Sequence, residues 1–283
     1  MNDQRFETPL YTVTQAARLV DMSPSTLSTW AKGYERRRPG RANLSQGPVI
    51  TAIEADPGMP SIPFIGLMES TVVEAFRRSG LPMQRIRKAL EVLAAQGELE
   101  HALASKQLYT DGAEILYDYA GRSGDKQMRL LTVVSSKQIV FHDVIEAHLQ
   151  RISFGDAWAT ELIVPVTEHP ILRVRPNVAG GDPLFMEGGA PLFAVHDRFA
   201  AGESIRSIAR DYAVPEAQIM RRWMPSGRAK RQLDPTLFEL FLDRSRPLRR
   251  RRDAAFSRPR QARDGRCVPR RQGSDDGRPV SDA

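Results

Sequence analysis

The feature that most constrains the fold of this chain is a helix-turn-helix pattern in residues 11–34, YTVTQAARLVDMSPSTLSTWAKGY. Thr12 followed by Gln15 fits a capping box, which satisfies free backbone N–H groups at the start of a helix. A second helix is predicted to begin at Ser23 and Pro24, residue types preferred at the N-cap and the first helical position. The inward faces of the two helices comprise Val13, Ala16, Ala17, Val20, Leu27, Trp30 and Tyr34. The simpler alternative is an αα-hairpin around a tryptophan.

Polar residues lie on the outer face of the predicted second helix, and basic residues lie in the segment after it. Hydroxyl groups and a lysine can reach base edges when such a helix enters the major groove of DNA. The predicted contacts of this helix are Ser25, Thr26, Ser28, Thr29 and Lys32. Residues 34–62, rich in Arg, Pro and Gly, predict a β-wing followed by a strand, with a basic tip suited to phosphates. The tip comprises Arg36, Arg37, Arg38 and Arg41.

The net charge of +7 does not by itself indicate nucleic-acid binding, because it is concentrated at the C-terminus. Residues 244–283 contain 13 Arg and 5 Asp, a net charge of +8, whereas the rest of the chain carries −1. The tail, residues 231–283, is predicted to be mostly disordered because residues 244–283 have almost no apolar periodicity. Two interpretations stay open for it. It is either a basic arm with non-specific nucleic-acid affinity or the frame-shifted remnant of a fused or overlapping gene.

Other functional classes find little support in the sequence. The single cysteine, Cys267, and five scattered histidines offer neither a disulfide framework nor metal-ligand spacing. No nucleophile–histidine–acid arrangement can be assembled, and carboxylate pairs such as Glu114 and Asp118 are typical of a solvated helix face. We therefore expect no enzyme activity, no metal and no cofactor. Without a signal peptide or a run of roughly 20 apolar residues, a cytoplasmic protein with no membrane partner is expected.

Two periodic helices are predicted after the wing, and a less regular region follows them. The first helix has an apolar stripe from Phe64 to Phe76 and ends at Gly80; the second opens at Pro82. Basic residues near their join form a candidate second phosphate contact: Arg77, Arg78, Arg85, Arg87 and Lys88. Beyond them, residues 108–117 predict a hairpin with its turn at Asp111-Gly112, residues 128–134 a strand, and residues 139–152 a helix.

A second set of three helices is predicted in residues 193–223, after a Gly/Pro-rich stretch. Ser204 caps the middle helix, and Val214-Pro215 precedes the last. Apart from Arg221 and Arg222 near its end, this last helix carries few basic groups, which favours protein binding over DNA binding. The sequence leaves that choice open.

The basic wing and the stretch FIGLMESTVVEAFRRSGLPMQRIRKALEVL, together with the helix-turn-helix, are similar to the DNA-binding half of MerR-type winged-helix regulators. In that family the recognition helix usually carries arginine near the positions of Ser25 and Ser28, so contacts there would differ in this chain. The chain also lacks a long helix leading to a cysteine-bearing effector site, which argues against metal sensing.

The stretch AAGESIRSIARDYAVPEAQI resembles a small domain of unknown function found in antitoxins of bacterial toxin–antitoxin pairs. The matching positions are Gly202, Glu203, Ser204, Ile205, Ala209 and Tyr212. The family's G-x-P-x-x-x-G-T lead-in is met only loosely by Gly188-Gly189-Ala190-Pro191. The order of parts over about residues 8–223 resembles VapB-type antitoxins of the MerR-like kind. That resemblance implies a partner toxin of PIN-like ribonuclease fold.

The sequence thus predicts a mainly α protein with small β elements. Its predicted parts are a winged helix-turn-helix DNA-binding domain (1–97), a connecting α+β region for dimerisation (98–165), a three-helix, helix-turn-helix-like antitoxin domain (166–230) and the tail (231–283). The leading hypothesis is a homodimeric type II antitoxin that binds operator DNA, represses its own operon and neutralises a PIN-like toxin. The alternative is a stand-alone MerR-type transcription regulator responding to a small ligand.

Overall fold

The computed structural model describes residues 3–36, 44–97, 101–129, 131–135, 138–141, 143–165 and 171–223. Its helices are α1 (Gln4–Glu7), α2 (Val13–Val20), α3 (Pro24–Lys32), α4 (Phe64–Arg78), α5 (Met83–Gly97), α6 (Lys106–Ser123), α7 (Lys126–Arg129), α8 (Asp143–Leu149), α9 (Leu192–Ala200), α10 (Ile205–Tyr212) and α11 (Glu216–Trp223). Its strands are β1 (Tyr34–Arg36), β2 (Leu44–Gln46), β3 (Thr132–Ser135), β4 (Gln138–Phe141), β5 (Ile152–Phe154), β6 (Ala159–Val164), β7 (Leu172–Val174) and β8 (Leu184–Phe185). The mainly α character with small β elements is confirmed.

The predicted N-terminal helix-turn-helix is present and begins at the predicted residues. The Thr12 hydroxyl accepts from the Gln15 backbone N–H at 3.2 Å, and the Gln15 side chain accepts from the Thr12 N–H at 2.9 Å, which confirms the capping box before α2. Ser23 caps α3, with Pro24 at the first helical position. Between the helices, Asp21 adopts a left-handed conformation with φ of 65°, which turns the chain sharply enough for α3 to pack on α2.

Helix α4 is the central helix of the molecule. All residues from Phe64 to Phe76 are buried, so the predicted apolar stripe lies within a helix that is enclosed on every side. Helices α2, α5 and α8 pack against it. Two buried hydroxyls on α4, those of Ser70 and Thr71, donate to main-chain carbonyls one turn earlier at 2.6 and 3.0 Å. Their polar atoms are therefore paired inside the core.

The prediction of a hairpin in residues 108–117 is wrong, because this segment lies inside α6. Ser105 caps α6 by accepting from the Leu108 N–H at 3.3 Å. Gly112, which suggested a turn, is buried in the helix. An added Cβ there would lie 2.9 Å from Leu108 Cδ1 and 3.1 Å from Phe141 Cζ. The glycine therefore allows Phe141 to approach the helix closely. The other residues of the segment follow the spacing of a helix.

The predicted helix over residues 139–152 is correct only in its centre. Strand β4 precedes α8, and β5 begins after it. Strand β4 pairs antiparallel with β3, in the register Val133 with Val140, and β-branched residues such as these favour an extended chain. The predicted strand over residues 128–134 is likewise shorter, because Lys126–Arg129 forms the short helix α7 and β3 begins at Thr132.

Strands β5, β6, β7 and β8 form an antiparallel sheet in sequence order. Leu162 and Val164 of β6 are buried, as are Leu172 and Val174 of β7. Strand β6 ends just before residue 165 and pairs with β7 just after it, so the sheet contains residues from both sides of a predicted domain boundary. The division into domains at 97 and 165 stays a prediction.

The three helices predicted in residues 193–223 are present as α9, α10 and α11. Ser204 caps α10 by accepting from the Ser207 N–H at 3.2 Å, and Ile208 and Ala209 are buried as predicted. One apolar core extends from Leu10 to Ile219. No helix in the described ranges is both long and apolar enough to cross a membrane. The predicted disordered tail, residues 231–283, lies outside the described residues.

Candidate nucleic-acid interface

Helix α3 places the predicted base-contacting side chains where a large ligand can reach them. Leu27 and Trp30 point into the core, with exposed fractions of 0% and 3%, which turns the opposite side of the helix outward. The five predicted contact residues are exposed or half-buried: Ser25, Thr26, Ser28, Thr29 and Lys32. The structure therefore brings all five onto the accessible part of one helix.

Local hydrogen bonds decide what some of these side chains can still offer. The Thr26 hydroxyl lies 2.7 Å from the Ser23 hydroxyl, at the N-terminal end of α3. The Thr29 hydroxyl donates to the Ser25 carbonyl at 3.0 Å. Its oxygen is then left as an acceptor, suited to the amino groups of adenine or cytosine, whereas the Lys32 ammonium can only donate. The helix thus presents both acceptors and a donor.

An antiparallel hairpin follows α3 directly. Strands β1 and β2 pair in the register Arg36 with Leu44, so the backbone of Arg36 belongs to the hairpin. The junction requires a glycine: Gly33 has φ of 73°, and a Cβ there would lie 2.4 Å from the Gln46 carbonyl oxygen. The hairpin is therefore held close to the end of α3. Three predicted phosphate contacts, Arg37, Arg38 and Arg41, lie outside the described residues.

The predicted position of Tyr34 on the inward face of the second helix is wrong. Helix α3 ends at Lys32, and Gly33 redirects the chain so that Tyr34 begins β1 with 37% of its surface exposed. The main chain after the hairpin returns to the C-terminal end of α3 and covers the side that Tyr34 was predicted to occupy. The N–H of Val49 donates to the Trp30 carbonyl at 2.8 Å.

The turn of the helix-turn-helix is attached to the central helix α4. Nη2 of Arg78 donates to the Asp21 carbonyl at 2.8 Å and to its carboxylate at 2.9 Å. Nε of Arg78 donates to Glu74 at 2.8 Å, and Arg77 donates to the same carboxylate at 2.7 Å. Burial alone would raise the pKa of Glu74, but hydrogen bonds from the two arginines outweigh it and hold that pKa below its usual value. An ionised Glu74 thus helps fix the direction of α3.

Two further basic groups lie near this attachment. Burial lowers the pKa of Arg151 to about 10, and the nearby Arg78 guanidinium also lowers it. Its Nε donates to the Ile163 carbonyl at 3.1 Å. Burial likewise lowers the pKa of His148, and the charges of Arg151 and Arg78 act in the same direction. His148 is therefore favoured in its neutral form behind the turn.

The basic residues predicted as a second phosphate contact are largely engaged with acids of the same chain. Arg77 and Arg78 bind Glu74, as described above. Arg85 forms an ion pair with Asp125 at 2.6 Å, and Lys88 pairs with Glu91 at 3.1 Å. These acids offset much of the positive charge of this cluster.

Sequence reasoning missed the network of Asp21, Glu74 and Arg78. Asp21 lies 57 residues from Arg78 along the chain, and the local signals were the position of Asp21 in a tight turn and the spacing of four residues between Glu74 and Arg78. Within the described residues, no group of three or more His, Cys, Asp or Glu side chains is arranged to hold a metal ion.

A capped helix, a left-handed turn and a second helix with an accessible outer face define a helix-turn-helix protein of the DNA-binding class. In agreement, residues 9–90 match the family model described as "Putative DNA-binding HTH domain".

The similarity to known proteins extends well beyond this domain. The chain is 41% identical over 223 residues to the "Putative antitoxin VapB45" of Mycobacterium tuberculosis (strain ATCC 25618 / H37Rv), an alignment that covers 76% of this chain and 92% of the relative. It also matches the X-ray crystal structure of Rv2018 from Mycobacterium tuberculosis, with a TM-score of 0.64, 36% identity, and coverage of 76% of this chain and 97% of that one. The chain belongs to the family of the VapB45 relative.

Proposed function

We propose that this chain is the DNA-binding antitoxin of a type II toxin–antitoxin module. The observation that carries the proposal is the 41% identity to a protein named as an antitoxin, across 92% of that protein's length. An alignment that covers 76% of this chain includes most of the described region after the helix-turn-helix. The partner is a toxin of PIN-like ribonuclease fold, and the part of the chain after the helix-turn-helix holds it.

The DNA-binding part of the function rests on α3 and the hairpin after it. Ser25, Ser28, Thr29 and Lys32 lie on or beside the outward face of α3 and would contact base edges or adjacent phosphates, with Thr26 at the start of the helix. Arg36, Arg37, Arg38 and Arg41 would bind flanking phosphates. Because a hairpin follows α3, the domain is best described as a MerR-like winged helix-turn-helix.

Operator binding by a homodimer follows from the size of the recognition helix. Helix α3 has only 9 residues, and a single short module of this kind buries too little surface for tight specific binding. Two copies related by a twofold axis would contact two half-sites about one helical turn apart. Occupancy of such an operator upstream of the gene would repress the operon.

The decisive experiment is co-expression of the chain with the protein encoded beside it. The expected result is rescue of growth when the neighbouring protein is toxic alone, together with a stable complex in a pull-down. A neighbour that is neither toxic nor bound would contradict the antitoxin role. A Ser28→Asp variant serves as a control: it places a negative charge on the outer face of α3 and should weaken DNA binding, yet toxin neutralisation should persist.

A second candidate function is a stand-alone transcription regulator that responds to a small ligand. The observation that favours it is an open depression of about 330 Å³ beside the sheet. Ser153, Glu161 and Arg175 line it, and Arg175 pairs with the Glu161 carboxylate. A regulator of this kind would bind DNA without any toxin, and a small polar ligand would shift its thermal unfolding. Arg175→Ala should abolish that shift.

A further inference from the structure

The chain contains two helix-turn-helix units with the same backbone design. In each unit a hydroxyl residue caps a helix of eight residues: Thr12 before α2 and Ser204 before α10. Each cap accepts from the N–H three residues on, at 3.2 Å in both cases. Each first helix ends at a left-handed residue, Asp21 with φ of 65° and Ala213 with φ of 52°. The correspondence is residue for residue along the first helix and the turn, and the second helix begins at the matching position in each unit.

Main-chain hydrogen bonds close the two turns in the same way. The N–H of Met22 donates to the Ala17 carbonyl at 2.9 Å, and the N–H of Val214 donates to the Ala209 carbonyl at 3.0 Å. In both units the second helix starts two residues later. A left-handed conformation is uncommon for a residue other than glycine, so its presence at the matching position is informative.

Some of the buried positions also match, although the buried Leu19 corresponds to the exposed Asp211. Ala17 and Ala209 both face the core, at 0% and 7% exposure, and Leu27 and Ile219 are each fully buried on the second helix. The solvent-facing position of Ser25 corresponds to the exposed Ala217. Helix α11 therefore presents its outer face to solvent as α3 does.

We propose that the α10–α11 unit is a second DNA-binding site, which contacts the phosphate backbone. It lies far beyond residue 90, where the match to the DNA-binding family model ends. The proposal extends the function proposed above, because it assigns DNA contact to a part of the chain that the antitoxin hypothesis leaves to the toxin or to structure.

Charge supports a polyanionic partner for this surface. Over residues 204–224 there are four arginines and two acids, compared with two basic residues and one acid over the matching residues 12–32. Arg206 and Arg210, one turn apart on α10, are exposed; Arg210 makes only a 3.5 Å contact with Asp211 and keeps 80% of its side chain exposed. The second unit is thus the more basic of the two.

The acids around the second unit are partly neutralised by an arginine of the preceding helix. Arg198 on α9 binds Glu203 and Asp211, the latter at 2.7 Å, and its guanidinium lies 5.2 Å from the Tyr212 ring centre. Hydrogen bonds from Arg198 lower the pKa of both acids, so they stay ionised and paired. Their charge therefore opposes that of the exposed arginines less than the sequence suggests.

A surface groove on this unit is the proposed binding site for the DNA backbone. It has a volume of about 570 Å³ and runs between α10 and the start of α11. Arg206, Arg210 and the hydroxyls of Ser204 and Ser207 line it, together with a single acid, Glu216. Guanidinium and hydroxyl groups are the usual partners of phosphate oxygens. Because phosphate contacts carry no sequence information, such a site needs no helix that reads base edges.

The test compares the salt dependence of DNA binding by full-length variants. We expect Ser28→Asp, which puts a negative charge on α3, to abolish specific binding but leave salt-dependent binding to any duplex. Adding Arg206→Ala and Arg210→Ala should reduce the slope of log affinity against log salt concentration by about 2, because two phosphate contacts are lost. Arg206→Lys with Arg210→Lys should restore the slope. Removal of two cations elsewhere, Arg122→Ala with Lys126→Ala, is the matched control and should leave it unchanged.

An unchanged slope in the Arg206→Ala, Arg210→Ala variant would overturn the proposal, as would an equal loss in the control. Loss of toxin capture by that variant, with normal DNA binding, would identify the surface as a protein-docking site and also overturn it. Failure of Ser28→Asp alone to alter specific binding would instead count against α3 and the proposed operator contacts. The two failures are therefore distinguishable.

Discussion

The two helix-turn-helix units share a backbone but differ in how their turns are attached to the rest of the molecule. The Asp21 turn is joined to the central helix through Arg78 and the fully buried Glu74. The Ala213 turn has no side chain that could form such a link, and its unit is held by the partly exposed Arg198 on the neighbouring helix. The backbone of each turn therefore depends on local capping. The rigidity of each unit depends instead on the side chains that attach it to a neighbouring helix.

Removal of the matching core side chains should have the largest effect. We expect Leu27→Ala and Ile219→Ala each to lower the free energy of unfolding by about 3 kcal/mol, because both side chains are fully buried and a cavity would remain. Chemical denaturation measures this directly. Ser28→Ala and Met220→Ala, on the outer faces, are the controls and should change it little. A small effect at only one buried position would show that the units are not packed alike.

Loss of the buried carboxylate should distinguish the two attachments. Glu74→Gln is expected to cost about 2 kcal/mol, since it leaves Arg77 and Arg78 without their shared partner, although water can reach both. Glu203→Gln, which removes an exposed partner of Arg198, should cost distinctly less. Denaturation of the two variants under identical conditions compares them. Equal losses would contradict the claim that the first turn is the more firmly attached.

Glycine substitutions next to each unit should have a smaller effect, about 1 to 2 kcal/mol. A Cβ at Gly188 would lie 2.2 Å from the Tyr212 carbonyl oxygen, and one at Gly33 would lie 2.4 Å from the Gln46 carbonyl oxygen. Gly189→Ala is the matched control: its φ of 67° is equally unfavourable for alanine, but no atom lies within 4 Å of the added carbon. Thermal unfolding should rank Gly33→Ala and Gly188→Ala below Gly189→Ala. The same melting temperature for all three would refute the steric argument.

The loss of stability just below pH 6.5 should be the smallest effect and should arise beside the first unit. The pKa of His148 is lowered in the folded protein, so below pH 6.5 the unfolded chain binds more protons than the folded one. The free energy of unfolding therefore decreases as the pH decreases. Glu74 acts only in more acidic solution, because its folded-state pKa lies below 4.5. His148→Gln should flatten the decline just below pH 6.5. A decline that persists unchanged would assign it to another group.

Local sequence signals predicted the helix-turn-helix and the three C-terminal helices well. Capping residues such as Thr12, Ser23 and Ser204 act on backbone groups two or three positions away, so the sequence contains the whole interaction. The hairpin at residues 108–117 was predicted wrongly because Gly112 has a tertiary role, the admission of Phe141, that no local pattern reveals. The same limit applies to the candidate site.

Sequence identified the accessible residues of α3, since the burial of Leu27 and Trp30 determines which face remains outside. It did not identify the attachment of Asp21 to Arg78 and Glu74, because the turn must pack against α4 before Asp21 meets Arg78. Nor did it show that the second unit repeats the first, since the two units share their backbone and a few buried positions but few of their exposed side chains.

The most direct test of DNA binding through α3 is the affinity of the full-length protein for DNA from upstream of its own gene, measured beside a scrambled duplex at one salt concentration. The account predicts at least about 10³-fold tighter binding to the upstream DNA, and loss of that preference in Ser28→Asp. Equal affinity of the unmodified protein for the two duplexes, or an unaltered preference in the variant, would contradict it.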